Sequence, residues 1–484
     1  MATNENTTRK KVNLLQAVLI LVAIVGEIVV FVRNGANFTA AMGITWVIFF
    51  FASLLLGMKW SEVYKAGLEV IHGAFGAVVI LLCVGMLIGT WISCGTIPYV
   101  ITLGLELINP TFFLPCVLII CSVMSIFTGT SGGSVASAGV ALIGVAAVMG
   151  ISIPATAGAI ICGAMFGDKI SPLSDTTNMC PALTGATLGR HIKSMLYTTV
   201  IPYVMSLILF TVYGMMHAGA TASSETIQTS VQLLHENFNL SPVCFLPLVI
   251  VIALLVLKVD VAPAILVASL SGAVLTPILQ GKSFFTAVSM MYSGFSITTG
   301  DFIVDKLLNR GGMISMAGPA FNVIFALGMG GMLEYMGVLE ALTAPIMDKL
   351  NSVFKLVGFT AIIAYVSSAM TTTMTSANTI TGRVMAPLYR EKGVAPEVCS
   401  RTMEDCGTLA GPLMPWHTNS IQYAAALGIA NPACWIPFLF LSYLTPIMTL
   451  ICAATGFGIW YVDKDGNHIS KEEHKKMYPT AFSK

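Results

Sequence analysis

Three charged residues interrupt an apolar stretch, AIICGAMFGDKISPLSDTTN (residues 159–178), in a chain of which only 10% of the residues are charged. Asp168, Lys169 and Asp175 lie on either side of Pro172, among serine and threonine hydroxyls. Hard cations bind oxygen ligands such as carboxylates, carbonyls and amides. A carboxylate binds either a proton or a cation, so the stretch predicts competition between an alkali cation and a proton at Asp175. The predicted ion- and proton-binding residues are Asp168, Ser174, Asp175, Thr176, Thr177 and Asn178.

Structural roles are also compatible with these charges. Asp175 begins the sequence DTTN, and an aspartate there would make a good N-cap for a following helix. Asp168 and the adjacent Lys169 could form an ion pair or extend their polar ends from a helix terminus. For Asp175 the two roles can coexist, because an N-cap carboxylate still has a free oxygen.

A second stretch, EDCGTLAGPLMPWHTN (residues 404–419), shows a related pattern of glycine and proline. Three residues of the first stretch recur 240 residues later: Gly167 as Gly407, Pro172 as Pro412 and Leu173 as Leu413. A constant shift over a long distance indicates internal repeats. We therefore expect one structural repeat at about 13–216 and a second at about 243–461. Under this alignment Asp168 matches Thr408 and Asp175 matches Pro415, so the predicted site is asymmetric.

The second stretch supplies further candidates, although bland explanations exist for each. A glutamate or aspartate near a helix N-terminus is stabilised by the helix dipole. A lone histidine is more commonly a buried group with its hydrogen bonds satisfied than a group that titrates, although the ordinary pKa of an imidazole lies near neutral pH. The candidates in this second-half site are Asp405, Thr408, His417, Thr418 and Asn419, with Glu404 beside them.

Hydroxyl and amide groups also cluster at the centres of two predicted hairpins. The apolar arms 112–127 and 135–150 are shorter than the roughly 20 residues of a membrane-spanning helix. This favours a re-entrant hairpin with its tip at 129–134 and a second one at about 354–390. Serine and threonine in membrane helices also bond back to their own backbone, which is the alternative to lining a site. The tip candidates are Thr128, Thr130, Ser131 and Ser134 in the first hairpin and Thr373, Thr375, Ser376 and Asn378 in the second.

The composition indicates that these elements fold in a lipid membrane. The chain has 484 residues, 56% of them hydrophobic, and a mean hydropathy of +0.84. Apolar runs long enough to cross about 30 Å of hydrocarbon recur along it. The sequence predicts an all-α polytopic membrane protein with two inverted repeats of about five spans, each containing a re-entrant hairpin and a broken helix. Inverted repeats with broken helices are typical of secondary transporters.

Lysine and arginine positions predict the orientation, because short cytoplasmic loops are enriched in them. The N-tail (1–12) and the C-tail (462–484) are rich in these residues and are expected inside the cell. The linker 217–242 has none and is expected outside. If the first repeat has an odd number of spans, the second repeat begins on the opposite side of the membrane. The two repeats are then inverted relative to each other. Lys306 and Arg310 would fall outside and do not fit this rule. The expected location is the cell membrane.

Several other classes of function lack a signature in this sequence. The eleven cysteines are scattered without a C-x-x-C pair, which favours small core residues over a disulfide or metal framework. Neither H-E-x-x-H, G-x-S-x-G nor a Walker A sequence occurs, and nothing indicates nucleic-acid binding. We therefore expect no enzymatic activity and no cofactor besides transported Na+ and H+. An ion channel would more typically show one continuous pore lined by charged or carbonyl rings.

The block GAMFGDKISPLSDTTNM, with HIKSMLYTT downstream, resembles the signature of the NhaC family of Na+/H+ antiporters. VDKLLNRGGMISM (304–316) and EDCGTLAGPLMPW (404–416) are similar to further family blocks, and the likeness covers most of residues 65–450. The resemblance implies the ion transporter superfamily fold, with a scaffold and a mobile transport part, and frequent dimerisation through the scaffold. It also implies Na+/H+ exchange, or in some members exchange of Na+ and organic acids such as malate and lactate. The matching positions are Asp168, Ser171, Pro172, Ser174, Asp175, Thr176 and Thr177.

Two departures from the family pattern bear on the substrate. The first hairpin tip has Gly132 and Gly133 where family members commonly have a tryptophan and a threonine, and His417 replaces an asparagine. A slimmer tip leaves more volume, and a histidine adds a donor for an anion. Both departures favour an organic acid as substrate. The family resemblance still makes Na+/H+ exchange by alternating access the leading hypothesis, and the alternative is Na+- or H+-coupled exchange of a small organic acid. In that alternative, helix N-termini, His417 and Arg383 would bind the carboxylate.

Overall fold

The chain is almost entirely helical in the computed structural model, which describes residues 12–217, 224–347 and 350–482. In the first half the helices are α1 (Leu14–Arg33), α2 (Phe38–Leu55), α3 (Trp60–Ala74), α4 (Gly76–Ser93), α5 (Thr96–Leu107), α6 (Phe113–Thr128), α7 (Ser131–Ser134), α8 (Val140–Met149), α9 (Ile153–Ile170), α10 (Asp175–Thr184) and α11 (Leu188–Met216). In the second half they are α12 (Ser224–Asn237), α13 (Leu246–Val256), α14 (Val261–Gln280), α15 (Phe284–Ser293), α16 (Phe302–Leu308), α17 (Ala317–Met336), α18 (Val338–Met347), α19 (Val353–Thr371), α20 (Met374–Glu391), α21 (Pro396–Met403), α22 (Thr418–Leu427), α23 (Phe440–Thr455) and α24 (Lys471–Met477). Strands β1 (Tyr461–Val462) and β2 (His468–Ile469) form a small antiparallel hairpin near the C-terminus.

The protein is a polytopic membrane protein, as the composition predicts. Among the described residues, nine helices are long and apolar enough to span a membrane, or up to eleven if two bent pairs each count as a span. Large apolar side chains such as Leu15 on α1 and Ile208 on α11 are 68% and 56% exposed. Water would penalise such surfaces, whereas lipid tails accommodate them. The predicted all-α membrane class is therefore confirmed.

The first hairpin occurs where the sequence predicts it, but its arms are longer than expected. Helix α6 with its preceding turn covers Pro110–Thr128, and the second arm runs through Ser131–Met149, 19 residues each. The second arm continues from α7 to α8 through a π-helical turn, Val135–Gly139. Because each arm is long enough to cross, the argument from short arms was wrong. The re-entrant depth of the hairpin stays a prediction.

The two hairpin tips share one backbone design. The first tip turns at Gly129 (φ +67°) and the second at Thr372 (φ +59°), and each turn is followed by an extended threonine that caps the next helix. Thr130 accepts a hydrogen bond from the Gly133 amide, and Thr373 accepts one from the Ser376 amide. Thr372 is a non-glycine residue in the left-handed region, where a β-branched side chain is rare. Its strained backbone marks the second tip as a constrained turn.

The matching caps correct the register of the repeat. Residues with the same structural role are separated by 243 residues, not 240. These pairs are Gly129 and Thr372, Thr130 and Thr373, Gly150 and Gly393, Ser174 and His417, and Gly185 and Gly428. The shift of 240 residues was wrong, because it rested on a Pro-Leu pair that the two stretches share at non-equivalent positions. The helix ends of the two halves give the correct register. Asp175 therefore corresponds to Thr418, and Pro172 to Pro415. The orientation of the repeats and their exact boundaries stay predictions.

Both predicted broken helices are present, and they break differently. Helix α9 ends at Ile170, the chain is extended at Ser171 and Ser174, and α10 begins at Asp175. Pro172 lies within this gap, where it cannot donate a backbone hydrogen bond. In the second half α21 continues into a π-helical turn, Glu404–Thr408, and a short 3-10 turn, before α22 begins at Thr418.

Small residues hold the first broken helix against the first hairpin. A Cβ atom added at Gly163 would lie 2.4 Å from the Leu118 carbonyl oxygen, and one at Gly167 would lie 2.5 Å from the Ser122 carbonyl oxygen. Only glycine permits α6 and α9 to approach so closely. The predicted linker contains α12, whose Leu234 is buried in the main core together with residues of α4 to α9.

The C-terminal tail is folded onto the second half of the protein. The β1 strand bridges to Val394, in the turn between α20 and α21, and the Ala395 amide donates to the Trp460 carbonyl. The imidazole of His474, on α24, lies 2.8 Å from the Lys392 carbonyl oxygen. These contacts attach the tail to the end of the second hairpin.

Candidate functional site

A polar cavity of about 500 Å³ lies between the two hairpin tips and the break of α9. The loop between α13 and α14 forms another wall. Sequence-predicted site residues from both halves line this cavity: Thr128, Thr130, Ser131, Asp168, Ser174, Asp175, Thr176, Asn178, Thr375 and Asn419. The helix break, both tips and the start of α22 thus meet at one place, although they are far apart in sequence.

Asp168 is held in the cavity wall by the first hairpin tip. Its side chain is buried, and one carboxylate oxygen accepts from the Ser131 amide at 3.0 Å and from the Ser131 hydroxyl at 2.6 Å. The Tyr423 hydroxyl lies 2.8 Å from the Ser131 hydroxyl and accepts from the Asn419 amide at 2.9 Å. Hydrogen bonds to a charged acceptor are the stronger kind. A chain of contacts therefore ties Asp168 on the first broken helix to α22 in the second half.

Asp175, like Asp260, is an exposed carboxylate that lines the cavity. It is the first residue of α10, whereas Ser174 occupies the N-cap position. The expectation that Asp175 itself is the N-cap was therefore wrong by one residue. In the first turn its negative charge still interacts favourably with the helix dipole. The hydroxyls of Ser174 and Thr176 lie 3.2 Å apart beside it and offer further oxygen ligands.

Two of the predicted ligands serve the helix break instead. The Thr177 hydroxyl is buried and lies 3.1 Å from the Asp168 carbonyl and 2.9 Å from the Lys169 carbonyl, so it closes the end of α9. The Asn178 amide donates to the carbonyls of Pro172 and Ser174 at 2.9 and 2.7 Å. These bonds satisfy carbonyls that the broken helix leaves without partners. Both bonds use the side-chain nitrogen, and Asn178 also lines the cavity.

Lys169 pairs with the other broken helix rather than with Asp168. Its ammonium group forms a fully buried ion pair with Asp405, and it also donates to the Thr199 hydroxyl at 2.7 Å. Asp405 accepts further from Thr198 at 3.1 Å and from Thr449 at 2.5 Å. A buried pair with its remaining hydrogen bonds filled is a stable arrangement, whereas either partner alone would be costly. Asp405 is therefore committed to this network and does not line the cavity.

Most second-half candidates also lie outside the cavity wall. Thr408 accepts from the Asn378 amide at 2.9 Å, in a buried contact between the π-helical turn and α20. His417 is fully buried, and its Nδ1 accepts from the Asn419 amide, so it acts as the N-cap of α22. The Thr418 hydroxyl donates to the Thr372 carbonyl at 2.8 Å. Thr373 caps α20, as described above, by accepting from the Ser376 backbone amide.

The proposed anion-binding role of His417 and Arg383 has no support in this geometry. His417 does not line the cavity, and Arg383 lines a separate cavity of about 130 Å³ together with Ser367 and Glu334. The basic residue of the main cavity is instead Lys258, at the loop between α13 and α14, with a left-handed backbone (φ +61°). Asp260 and Gln422 line the same cavity. In the sequence, the Lys-Val-Asp interruption between two apolar runs is the signal that could have indicated this loop.

Comparison with known proteins identifies the family of this chain. The family model described as "Na+/H+ antiporter family" matches residues 5–177 and 163–457. The chain belongs to the Na+/H+ antiporter family. Its two matched segments together cover both hairpins and both broken helices of this antiporter-family protein.

Curated relatives of this antiporter-family protein carry different substrates in their names. The chain is 37% identical over 421 residues to the malate-2H+/Na+-lactate antiporter of Bacillus subtilis, covering 87% of this chain and 90% of that one. It is 34% identical over 408 residues to the Na+/H+ antiporter NhaC of Alkalihalophilus pseudofirmus, covering 84% and 87%. It is 32% identical over 411 residues to the arginine/ornithine antiporter ArcD of Halobacterium salinarum, covering 84% of each. All three are antiporters, and the family is one of transporters rather than enzymes.

Proposed function

We propose that this protein exchanges Na+ for H+ across the cell membrane by alternating access, with both termini in the cytoplasm. The observation that carries the proposal is the pair of carboxylates, Asp168 and Asp175, in one cavity at the break of a membrane helix. Ionisable residues within membrane segments are rare, and they commonly mark ion or proton pathways. The antiporters named NhaC among the relatives support the same pair of ions.

The cavity provides ligands for one Na+ between the two carboxylates. Asp175 is exposed to the cavity, and the hydroxyls of Ser174 and Thr176 lie within the same wall. Asp168 also lines the cavity, and the Ser131 bonds occupy only one of its two carboxylate oxygens. Two carboxylates that share one site repel each other, and either a cation or a proton relieves the repulsion. Binding of the two ions is therefore mutually exclusive, which is the requirement for exchange. Na+ and H+ are transported ions in this proposal and not bound cofactors.

Alternating access requires the cavity wall to move as a unit. The first hairpin tip packs on the break of α9, because a Cβ at Gly129 would lie 2.7 Å from Leu173. The Tyr423 contact to Ser131 adds α22 to the same body. We propose that both hairpins and both broken helices form the moving transport part, while the remaining spans form the scaffold.

Reconstituted liposomes containing a pH-sensitive dye test this function. An inward Na+ pulse should drive proton efflux in the wild-type protein, and Asp175→Asn and Asp168→Asn should each abolish it. Glu106→Gln is the matched control, because Glu106 lies exposed at the end of α5 and away from the cavity. Proton movement that is the same in Asp175→Asn as in the wild type would refute the assigned site. Absence of any Na+-driven proton movement in the wild type would refute the exchange of these two ions.

A second candidate function is exchange of a small organic acid coupled to Na+ or H+. The cavity volume of about 500 Å³ is far larger than one Na+ requires, and falls within the range of small-molecule sites. Lys258 supplies a cation for a carboxylate, and Gln422 and Asn419 supply amide donors. The malate/lactate antiporter among the relatives supports this substrate class. If Na+ alone moves no protons but added malate or lactate starts the flux, and Lys258→Gln weakens it, this function replaces the first.

A further inference from the structure

Glu404 is a buried carboxyl group without hydrogen-bond partners. It begins the π-helical turn of the second broken helix, its side chain is fully buried, and neither carboxyl oxygen has a partner among the described residues. The Thr408 hydroxyl and the Cys180 thiol approach the carboxyl group, but neither contact has the geometry of a full hydrogen bond. The side-chain oxygen of Asn378, which contacts Thr408 through its amide group, is also unpartnered. An unsatisfied buried polar group in a native fold requires an explanation.

None of the charged groups around Glu404 is hydrogen-bonded to it, although Arg401 keeps two buried nitrogens without a partner among the described residues. Lys169 pairs with Asp405, and Asp168 accepts from Ser131. On the preceding turn, one Arg401 nitrogen donates to the Gly458 carbonyl at 3.0 Å and to the Ser194 hydroxyl at 3.2 Å. An ionised carboxylate at this place would be a buried charge without a partner, and that is much more costly than a neutral polar group. The neutral acid, which carries a proton, is thus the form that this environment favours.

A proton fits this site better than a metal ion does. A hard cation such as Na+ takes several oxygen ligands, whereas one of the groups beside Glu404 is a thiol. Neutralising the carboxyl with a proton requires no additional ligand. The unpartnered Asn378 oxygen supplies an acceptor in the same cluster for the acid hydrogen.

We propose that Glu404 is a second proton-binding group of the transport cycle, distinct from the cavity carboxylates. The inference rests on the proposed exchange of Na+ for H+. Thr375 lines the cavity, and Asn378 follows three residues later on α20, so their side chains share one helix face that leads from the cavity toward Glu404. Na+ bound in the cavity adds a positive charge near Glu404, and in a low-dielectric interior this favours loss of the proton. One binding event thereby releases a proton from a residue that the cation does not touch.

Infrared difference spectroscopy and ion fluxes test this proposal on the full-length protein. Addition of Na+ to the wild type should remove a protonated-carboxyl band, and Glu404→Gln should lack that component. In liposomes, the proton-to-Na+ ratio of Glu404→Gln should fall by about one. Glu106→Gln should match the wild type in both measurements. A Na+-sensitive carboxyl signal that persists unchanged in Glu404→Gln, or an unchanged ratio, would overturn the proposal.

The two readouts separate this proposal from the proposed function. If the wild type moves no protons with Na+, the exchange function fails, whereas the infrared signal still reports whether Glu404 carries a proton that Na+ displaces. A Glu404 band that is present but insensitive to Na+ would overturn the transport role and leave a structural neutral acid. If Glu404→Gln does not yield a monodisperse protein, Glu404→Met, which removes the unpartnered polar group, replaces it in the same measurements.

Discussion

The two broken helices occupy equivalent places in the repeats but have opposite character. The first opens into the cavity, with Asp175 exposed at the start of α10. The second closes around buried groups, and its equivalent of Asp175 is Thr418, whose hydroxyl bonds to the second hairpin tip. The Lys169–Asp405 pair joins them. In a repeated fold, one broken helix can thus line the cavity while the other packs around buried groups and stabilises the first. The charged residues are divided between the two helices.

The largest expected effect concerns the ion pair that joins the two breaks. Lys169→Met should leave Asp405 as an uncompensated buried charge and lower the free energy of unfolding by about 3–5 kcal/mol. Thermal unfolding in detergent, read by the loss of monodisperse protein, measures the effect. The double variant Lys169→Met/Asp405→Leu should recover most of the stability. If the single variant is as stable as the wild type, the pair does not hold the two helices together.

The next largest effect concerns Na+ affinity, which we expect to depend on the first hairpin tip but not on the second. Ser131→Ala should remove the hydroxyl donor to Asp168 and cost about 1.5–3 kcal/mol of interaction with the carboxylate, which is roughly tenfold or more in the apparent Na+ affinity. Thr373→Ala, at the N-cap of the helix that follows the second tip, should remove a cap without changing Na+ affinity. Sodium dependence of proton flux in liposomes measures both. Equal losses of affinity in the two variants would contradict the asymmetry.

Packing of the two broken helices against their hairpins should also differ. Gly167→Ala places its Cβ 2.5 Å from the Ser122 carbonyl, a backbone atom that cannot rotate away, and should cost about 1–3 kcal/mol. Gly407→Ala places its Cβ 2.5 Å from the Asn378 side-chain oxygen, which can move, and should cost less. Thermal unfolding of the two variants provides the comparison. The reverse order would show that the second hairpin is the more rigid of the two.

The smallest expected effect is at Thr418, the counterpart of Asp175. Thr418→Val should lose one hydrogen bond, to the Thr372 carbonyl, and lower the free energy of unfolding by about 1 kcal/mol. Transport should persist, in contrast to Asp175→Asn. Loss of Na+-driven proton flux in a stable Thr418→Val protein would assign an ion-binding role to the second break as well.

The sequence was sufficient for the membrane class, the hairpin positions and both helix breaks, because proline, glycine and apolar run length are local signals. It also indicated most of the polar residues that line the cavity, such as Asp168, Ser131 and Asn419. The partner of Lys169 could not be predicted, because Asp405 lies 236 residues away and no pattern within one segment encodes that contact. The same limit applies to Lys258 and Tyr423, whose roles depend on how separate segments pack. The repeat shift was wrong for a related reason, since the shift of 243 residues is visible only when the turns and helix ends of the two halves are compared.

The folded tail has a practical consequence for observing transport. Its strand bridges to Val394 and its helix contacts Lys392, both next to the end of α20, so a displacement of that helix carries the tail with it. The tail lies outside the cavity lining and exposes Lys475 and Lys476. A fluorophore attached to the tail would move together with α20. Its distance to a second dye on α1 would report the conformational change without a label in the cavity.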